Sequence, residues 1–104
     1  MSKIRLKTHH LYIESDLAKA AFGDAAQVYT VYYPSKQSLL LAPMSDDFFP
    51  KLHKAQLQML KSRNLQGDKT IYLREVMIDN DLDESDRDLE YAYTEGAQLL
   101  SVKI

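Results

Sequence analysis

The chain of 104 residues has no cysteine and no tryptophan, and only three glycines and three prolines. Without cysteine there can be no disulfide, no thiolate nucleophile and no Cys-ligated zinc, a composition that suits a cytoplasmic protein. Three glycines, with Gly67 standing alone, cannot form a loop that cradles phosphate. No apolar run approaches the ~20 residues of a membrane span, and the opening stretch MSKIRLKTHH has no apolar signal core, so neither membrane nor export is expected. What is present is ordinary for a globular protein: 45% hydrophobic and 27% charged residues, in a length that fits one domain over residues 1–104.

The net charge of −2 conceals an asymmetry. Residues 1–43 carry five bases and three acids, residues 44–69 again five and three, and residues 70–104 three bases against nine acids. A uniformly basic nucleic-acid binder is excluded, but a basic face on the first two-thirds is compatible with this distribution.

Residues 3–8 alternate strictly, Ile4 and Leu6 on one side and Lys3, Arg5 and Lys7 on the other, which predicts a half-buried strand. Leu11, Tyr12 and Ile13 continue it after a bend. Ser15 reads as a helix N-cap and Gly23 as the stop of a two-turn helix carrying Leu17, Ala20 and Ala21. Residues 27–33 and 38–42, joined by Pro34-Ser35-Lys36, predict a hairpin. Pro50 fits the first turn of a central helix over residues 50–64, stopped at Gly67, with Leu52, Ala55 and Met59 packed on a sheet and Lys51, Lys54 and Lys61 in solvent. Leu57 and Leu60 lie outside that apolar arc, so a second protomer is expected to cover them and the chain is expected to be a homodimer. Residues 70–78 read as extended, 80–88 as a polar loop, 89–93 and 98–104 as strands, and Glu95-Gly96 as the tight turn between them.

The second half echoes the first. An offset of 65 lays residues 13–17 on 78–82, and an offset of 60 lays Tyr29, Val31, Tyr33, Leu39 and Leu40 on Leu89, Tyr91, Tyr93, Leu99 and Leu100. The expected fold is therefore α+β, mostly β, with pseudo-repeats over 1–43 and 70–104 and a helical connector over 44–69.

The stretch IESDLAKAAFGDAAQVYTVYYPSKQSLLLAP resembles the AbrB-like swapped-hairpin superfamily. Ile13, Leu17, Gly23-Asp24, residues 28–33 and residues 39–41 stand where the family has its apolar strand, short helix, turn and hairpin strands. Two such halves in one chain resemble the tandem-repeat (MraZ-like) branch of cell-division regulators. The resemblance implies a DNA-binding transcriptional regulator without catalytic activity or cofactor. The family's proline ahead of the short helix is replaced here by Glu14-Ser15, and its D-x-x-x-R pattern occurs at Asp83–Arg87 in the polar loop rather than in the first strand.

The residues suited to phosphate contact are Lys3, Arg5 and Lys7 in a row on the first strand, extended by Lys19. Only Arg74 and Lys69 supply comparable charge in the second half. The alternative is a protein-interaction or self-assembly module that uses exposed strand edges or the central helix, with no nucleic acid. Residues 79–90 place acids where a calcium loop has them, at its positions 1, 3, 5 and 12, yet Glu84 and Asp86 occupy the places of its glycine and its apolar anchor, so a solvated acidic turn is expected. His9 and His10 are adjacent on a strand and point apart, His53 stands alone, and no Ser, His and Asp form a recognisable local signature. No metal site and no catalytic residue are expected. Tyr29, Tyr33, Tyr91 and Tyr93 read as packing residues of the hairpins.

Overall fold

The alternation along residues 3–13 produces a hairpin of β1 (Ile4–Lys7) and β2 (His10–Ile13), pairing Ile4 with Ile13 and Lys7 with His10. In the computed structural model, which describes residues 3–63, 66–94 and 99–104, this hairpin is followed by α1 (Ser15–Phe22), β3 (Gln27–Tyr33), β4 (Ser38–Pro43) and α2 (Phe49–Leu52). Then come β5 (Gln56–Met59), β6 (Lys61–Ser62), β7 (Lys69–Tyr72), α3 (Arg74–Asp79), β8 (Arg87–Asp88), β9 (Tyr91–Thr94) and β10 (Leu99–Lys103). The result is a mixed α+β fold dominated by antiparallel strands. Sheet A has the order β6-β7-β2-β1-β8 and sheet B the order β5-β3-β4-β10-β9. Among the described residues no helix is long and apolar enough to cross a membrane.

One core serves both sheets. Ile4, Leu6, Leu11, Ile13 and Ile71 of sheet A meet Val28, Leu39, Leu41, Leu100 and Val102 of sheet B, with Leu17, Ala21 and Phe22 of α1 and Met77 of α3 packed among them. Full burial of each large aliphatic side chain stabilises the fold by about 1.5–3 kcal/mol. Gly23 ends α1 with a φ of +59°, a conformation glycine adopts without strain, and its N–H bonds back to the Lys19 carbonyl at 2.9 Å. Ser15 is the first helical residue rather than the N-cap. Its own N–H is satisfied at 2.9 Å by the Asp68 carboxylate, which reaches the helix start from the connector.

The expected central helix over 50–64 is not formed. Only α2 is helical, with Pro50 in its first turn, and from His53 the chain is extended. Residues 56–59 pair with Gln27–Thr30 of β3, and the Leu60 N–H bonds to the Ala26 carbonyl. A free strand edge thus competes with an isolated helix for the same backbone groups, and a helix of this length has little stability of its own. The expected packing changes with it. Leu52 and Met59 are exposed, Ala55 is half-buried, Leu57 is exposed, and Leu60 is buried within the chain. Lys51, Lys54 and Lys61 are exposed as expected. Asn64, the Glu95-Gly96 turn and Gln98 lie outside the described residues.

The expected extended run over 70–78 also divides. The Leu73 N–H bonds to the His9 carbonyl at 2.9 Å, which ends the β7 ladder, and α3 then buries Met77 while exposing Ile78.

In sheet B, Tyr32 pairs with Leu39 and Tyr93 with Leu100, and Thr30 with Leu41 as Tyr91 with Val102. Corresponding pairs of the two hairpins are therefore 61 positions apart, and β4 meets β10 with Leu40 opposite Ser101, which are themselves 61 apart. The offset of 60 read from the sequence therefore matches residues on opposite faces of sheet B, because one residue reverses the face. Tyr29 and Tyr33 accordingly lie opposite the core, against Phe49 and His53, while Tyr91 and Tyr93 pack against the core.

Candidate nucleic-acid interface

Pairing across β1, β2 and β7 brings side chains from three strands into rows on the face of sheet A opposite the core. One row runs Lys7, His10, Tyr72, and the next runs Asp88, Arg5, Tyr12, Thr70, Lys61, with Asp88 contributed by the edge strand β8. Cross-strand partners share a face, so the alternation that buries Leu6, Leu11 and Ile71 also presents this set outward. Arg63, just beyond β6, lies with its guanidinium 5.2 Å from the centre of the Tyr12 ring. The His10 ring lies 4.8 Å from that of Tyr72 and 6.5 Å from that of Tyr12, and its Nδ1 is 2.8 Å from the Thr8 carbonyl oxygen, to which it donates. That bond and the Tyr72 ring hold the imidazole in place.

The four residues singled out from the sequence fare differently. Lys3, Arg5 and Lys7 do project from one strand face, but Lys3 is hydrogen-bonded to Asp16 and Arg5 is paired with Asp88 at 3.1 Å. The contact with Asp16 raises the Lys3 ammonium above its usual range, and the bond from Lys3, with the Leu17 N–H, holds the Asp16 carboxyl below its own. Lys19 is exposed on α1, and among the described residues no ion pair joins it to the row. Among the described residues Lys7, Lys61 and Arg63 have no ion-pair partner. The cations on this face without an ion-pair partner among the described residues are thus Lys7, Lys61 and Arg63, with the paired Arg5 beside them. Tyr12, His10 and Tyr72 were readable as strand positions of H-L-Y-I and K-T-I-Y, but not as neighbours, because only the β2–β7 pairing joins them.

The acidic segment is solvent-exposed, as expected for an acidic turn, and several of its carboxylates also make surface contacts. The Asp86 carboxylate accepts the Thr8 N–H at 2.9 Å, Glu84 lies 2.6 Å from His9 Nε2, Asp88 holds Arg5, and Asp83 accepts the Ser85 N–H at 3.0 Å, which keeps its carboxyl below the usual range. Three of these contacts clasp the β1–β2 hairpin. Thr8 and His9 both have positive φ, +51° and +64°, the left-handed turn that matches strand twist but strains residues other than glycine. The segment therefore secures a strained turn at the end of the basic row and places Asp88 on the same face of the sheet as Arg5, its cross-strand partner. Among the described residues no group of three or more His, Asp and Glu is arranged to hold a metal ion.

A groove of about 590 Å³ opens beside the rows, where β5 of sheet B passes β7 of sheet A. Leu57, Gln58 and Met59 line one side of it and His10, Tyr72 and Lys61 the other. Tyr72 is 49% exposed and Met59 61%, so apolar surface and cationic groups lie side by side. No protein-family model, no curated protein and no solved structure matches this chain.

Proposed function

We propose that the protein is a small, non-enzymatic nucleic-acid-binding regulator of the AbrB-like kind, and that it makes contact through the face of sheet A carrying Arg5, Lys7, Lys61 and Arg63. One observation carries this reading: three cations without ion-pair partners lie with aromatic rings on a single sheet face, while Glu84, Asp86 and Asp88 are engaged by His9, Thr8 and Arg5 of the hairpin. Phosphate contact needs donors free of competing carboxylates, and Lys7, Lys61 and Arg63 meet that requirement where Lys3 does not. We read the chain as two pseudo-repeated, swapped-hairpin-like units, a reading supported to this extent: the hairpins β3–β4 and β9–β10 share a register and lie side by side in sheet B. A cytoplasmic location goes with this reading.

Electrophoretic mobility shift at two salt concentrations tests it. With about three phosphate contacts, duplex affinity falls about 40-fold between 50 and 200 mM salt. Absence of binding to any nucleic acid at the lower salt overturns the proposal.

A second reading, self-association as a homodimer, is favoured by Phe48 and Leu52, which stand 72% and 75% exposed on either side of Pro50 and Lys51. Apolar side chains so close together and so exposed are an ordinary feature of a subunit contact. The dilution experiment given in the Discussion decides it.

A further inference from the structure

We propose that the ligand of this face is single-stranded nucleic acid, with a base stacked on the Tyr72–His10 pair and the adjoining phosphates held by Lys7 and Lys61. The inference rests on the nucleic-acid reading above and narrows it to one class of ligand.

Charge and apolar exposure coincide here in a way a duplex does not use. A duplex presents phosphates outward and keeps its base planes stacked inside, so it would satisfy Lys7, Lys61 and Arg63 but leave Tyr72, Leu57 and Met59 against sugar and water. A single strand offers both surfaces at once, since its unpaired bases have free π-faces and its backbone carries the charge. The tyrosine and histidine belong to β7 and β2, which lie inside the sheet rather than at its edge.

The aromatic platform is already ordered. His10 is held by the Thr8 carbonyl and packed against Tyr72, so a base meets a fixed surface and little side-chain freedom is lost on binding. Lys7 lies directly across β1–β2 from His10, and Lys61, opposite Thr70 in the neighbouring row, borders the same groove as the ring pair. Gln58 in the groove wall supplies a carboxamide, a donor and an acceptor for a base edge.

The test compares a labelled oligothymidylate of ~12 nucleotides with a duplex of equal length by fluorescence anisotropy, using the full chain. The single strand should bind more tightly. Tyr72→Ala should weaken single-strand binding about 5- to 100-fold and leave duplex binding within about twofold. Tyr72→Phe, which keeps the ring, should bind the single strand as the wild type does, and Lys7→Ala should weaken both ligands. If the duplex binds as tightly as the single strand and Tyr72→Ala changes neither, the stacking inference is wrong while nucleic-acid binding stands. If Tyr72→Phe loses as much as Tyr72→Ala, the ring is not the contact and the inference is likewise wrong. If neither ligand binds at 50 mM salt, the functional reading fails as a whole.

Discussion

Phe48 and Phe49 are adjacent in the chain and opposite in environment. Phe48 is 72% exposed, with Lys51 Nζ 5.9 Å from its ring centre, whereas Phe49 is 3% exposed, stacked 6.2 Å from Tyr29 and 4.7 Å from His53. Truncating a buried phenylalanine costs about 3–5 kcal/mol through lost transfer energy and the cavity left behind. Phe49 belongs to a single helical turn on the outer side of sheet B, which can settle toward Tyr29, so the lower end applies, about 3 kcal/mol. Phe48→Ala removes only exposed surface and should change stability by less than about 0.5 kcal/mol. Urea unfolding followed by far-UV circular dichroism measures both. With an m-value of roughly 1.5 kcal/mol/M, Phe49→Ala lowers the midpoint by about 2 M and Phe48→Ala leaves it nearly unmoved. Equal effects, or a larger effect for Phe48→Ala, would refute the placement of α2 on the sheet.

Three further outcomes follow from the same geometry. Asp88→Asn releases Arg5 from its partner at 3.1 Å, so nucleic-acid affinity should rise several-fold at low salt and the slope of log K against log salt should steepen by about 0.7–0.9 for one added phosphate contact. An unchanged slope would place Arg5 outside the interface. Asp16 titrates below its ordinary 3.8 in the folded chain, so its contribution to stability is full well above that value and is lost progressively as pH falls below it; Asp16→Asn should lower the melting temperature at pH 6, and the difference should shrink steadily as pH falls below 3.8. A difference that does not shrink between pH 6 and pH 2 would contradict the Lys3–Asp16 pairing as its cause. If the chain dimerises through Phe48 and Leu52, light scattering across a dilution series should show a mass falling from twice 12.0 kDa toward 12.0 kDa, and Leu52→Glu should give the lower mass throughout. A constant 12.0 kDa excludes self-association.

Local signals were sufficient wherever a segment's period was unambiguous. The alternation in residues 3–8, the Gly23 stop and the β-rich run of residues 27–33 each correspond to an element of the fold. They failed where two periods overlapped. Residues 52–61 place lysines and apolar residues at helical spacing, yet Gln56-Leu57-Gln58-Met59 also alternates, and the open edge of β3 decides in favour of the strand. At residues 70–78 an unbroken apolar run suits a buried strand and a helix equally, and the bond from Leu73 to His9, 64 residues earlier, sets the division. The candidate site has the same limitation. The basic row of β1 is legible as a row, but its neutralisation by Asp16 and Asp88, and its extension by Tyr72, Lys61 and Arg63, depend on tertiary pairing that no local pattern encodes.

The central claim is that nucleic acid binds the outer face of sheet A, and residue-resolved chemical-shift mapping tests it most directly. An ¹⁵N-labelled sample titrated with the ~12-nucleotide oligothymidylate should show its largest amide shifts in β1, β2 and β7, centred on Lys7, His10, Tyr12 and Tyr72, with α1 and the hairpin β9–β10 unaffected. Shifts concentrated instead on α1 around Lys19, or on α2 around Phe48, would contradict the account.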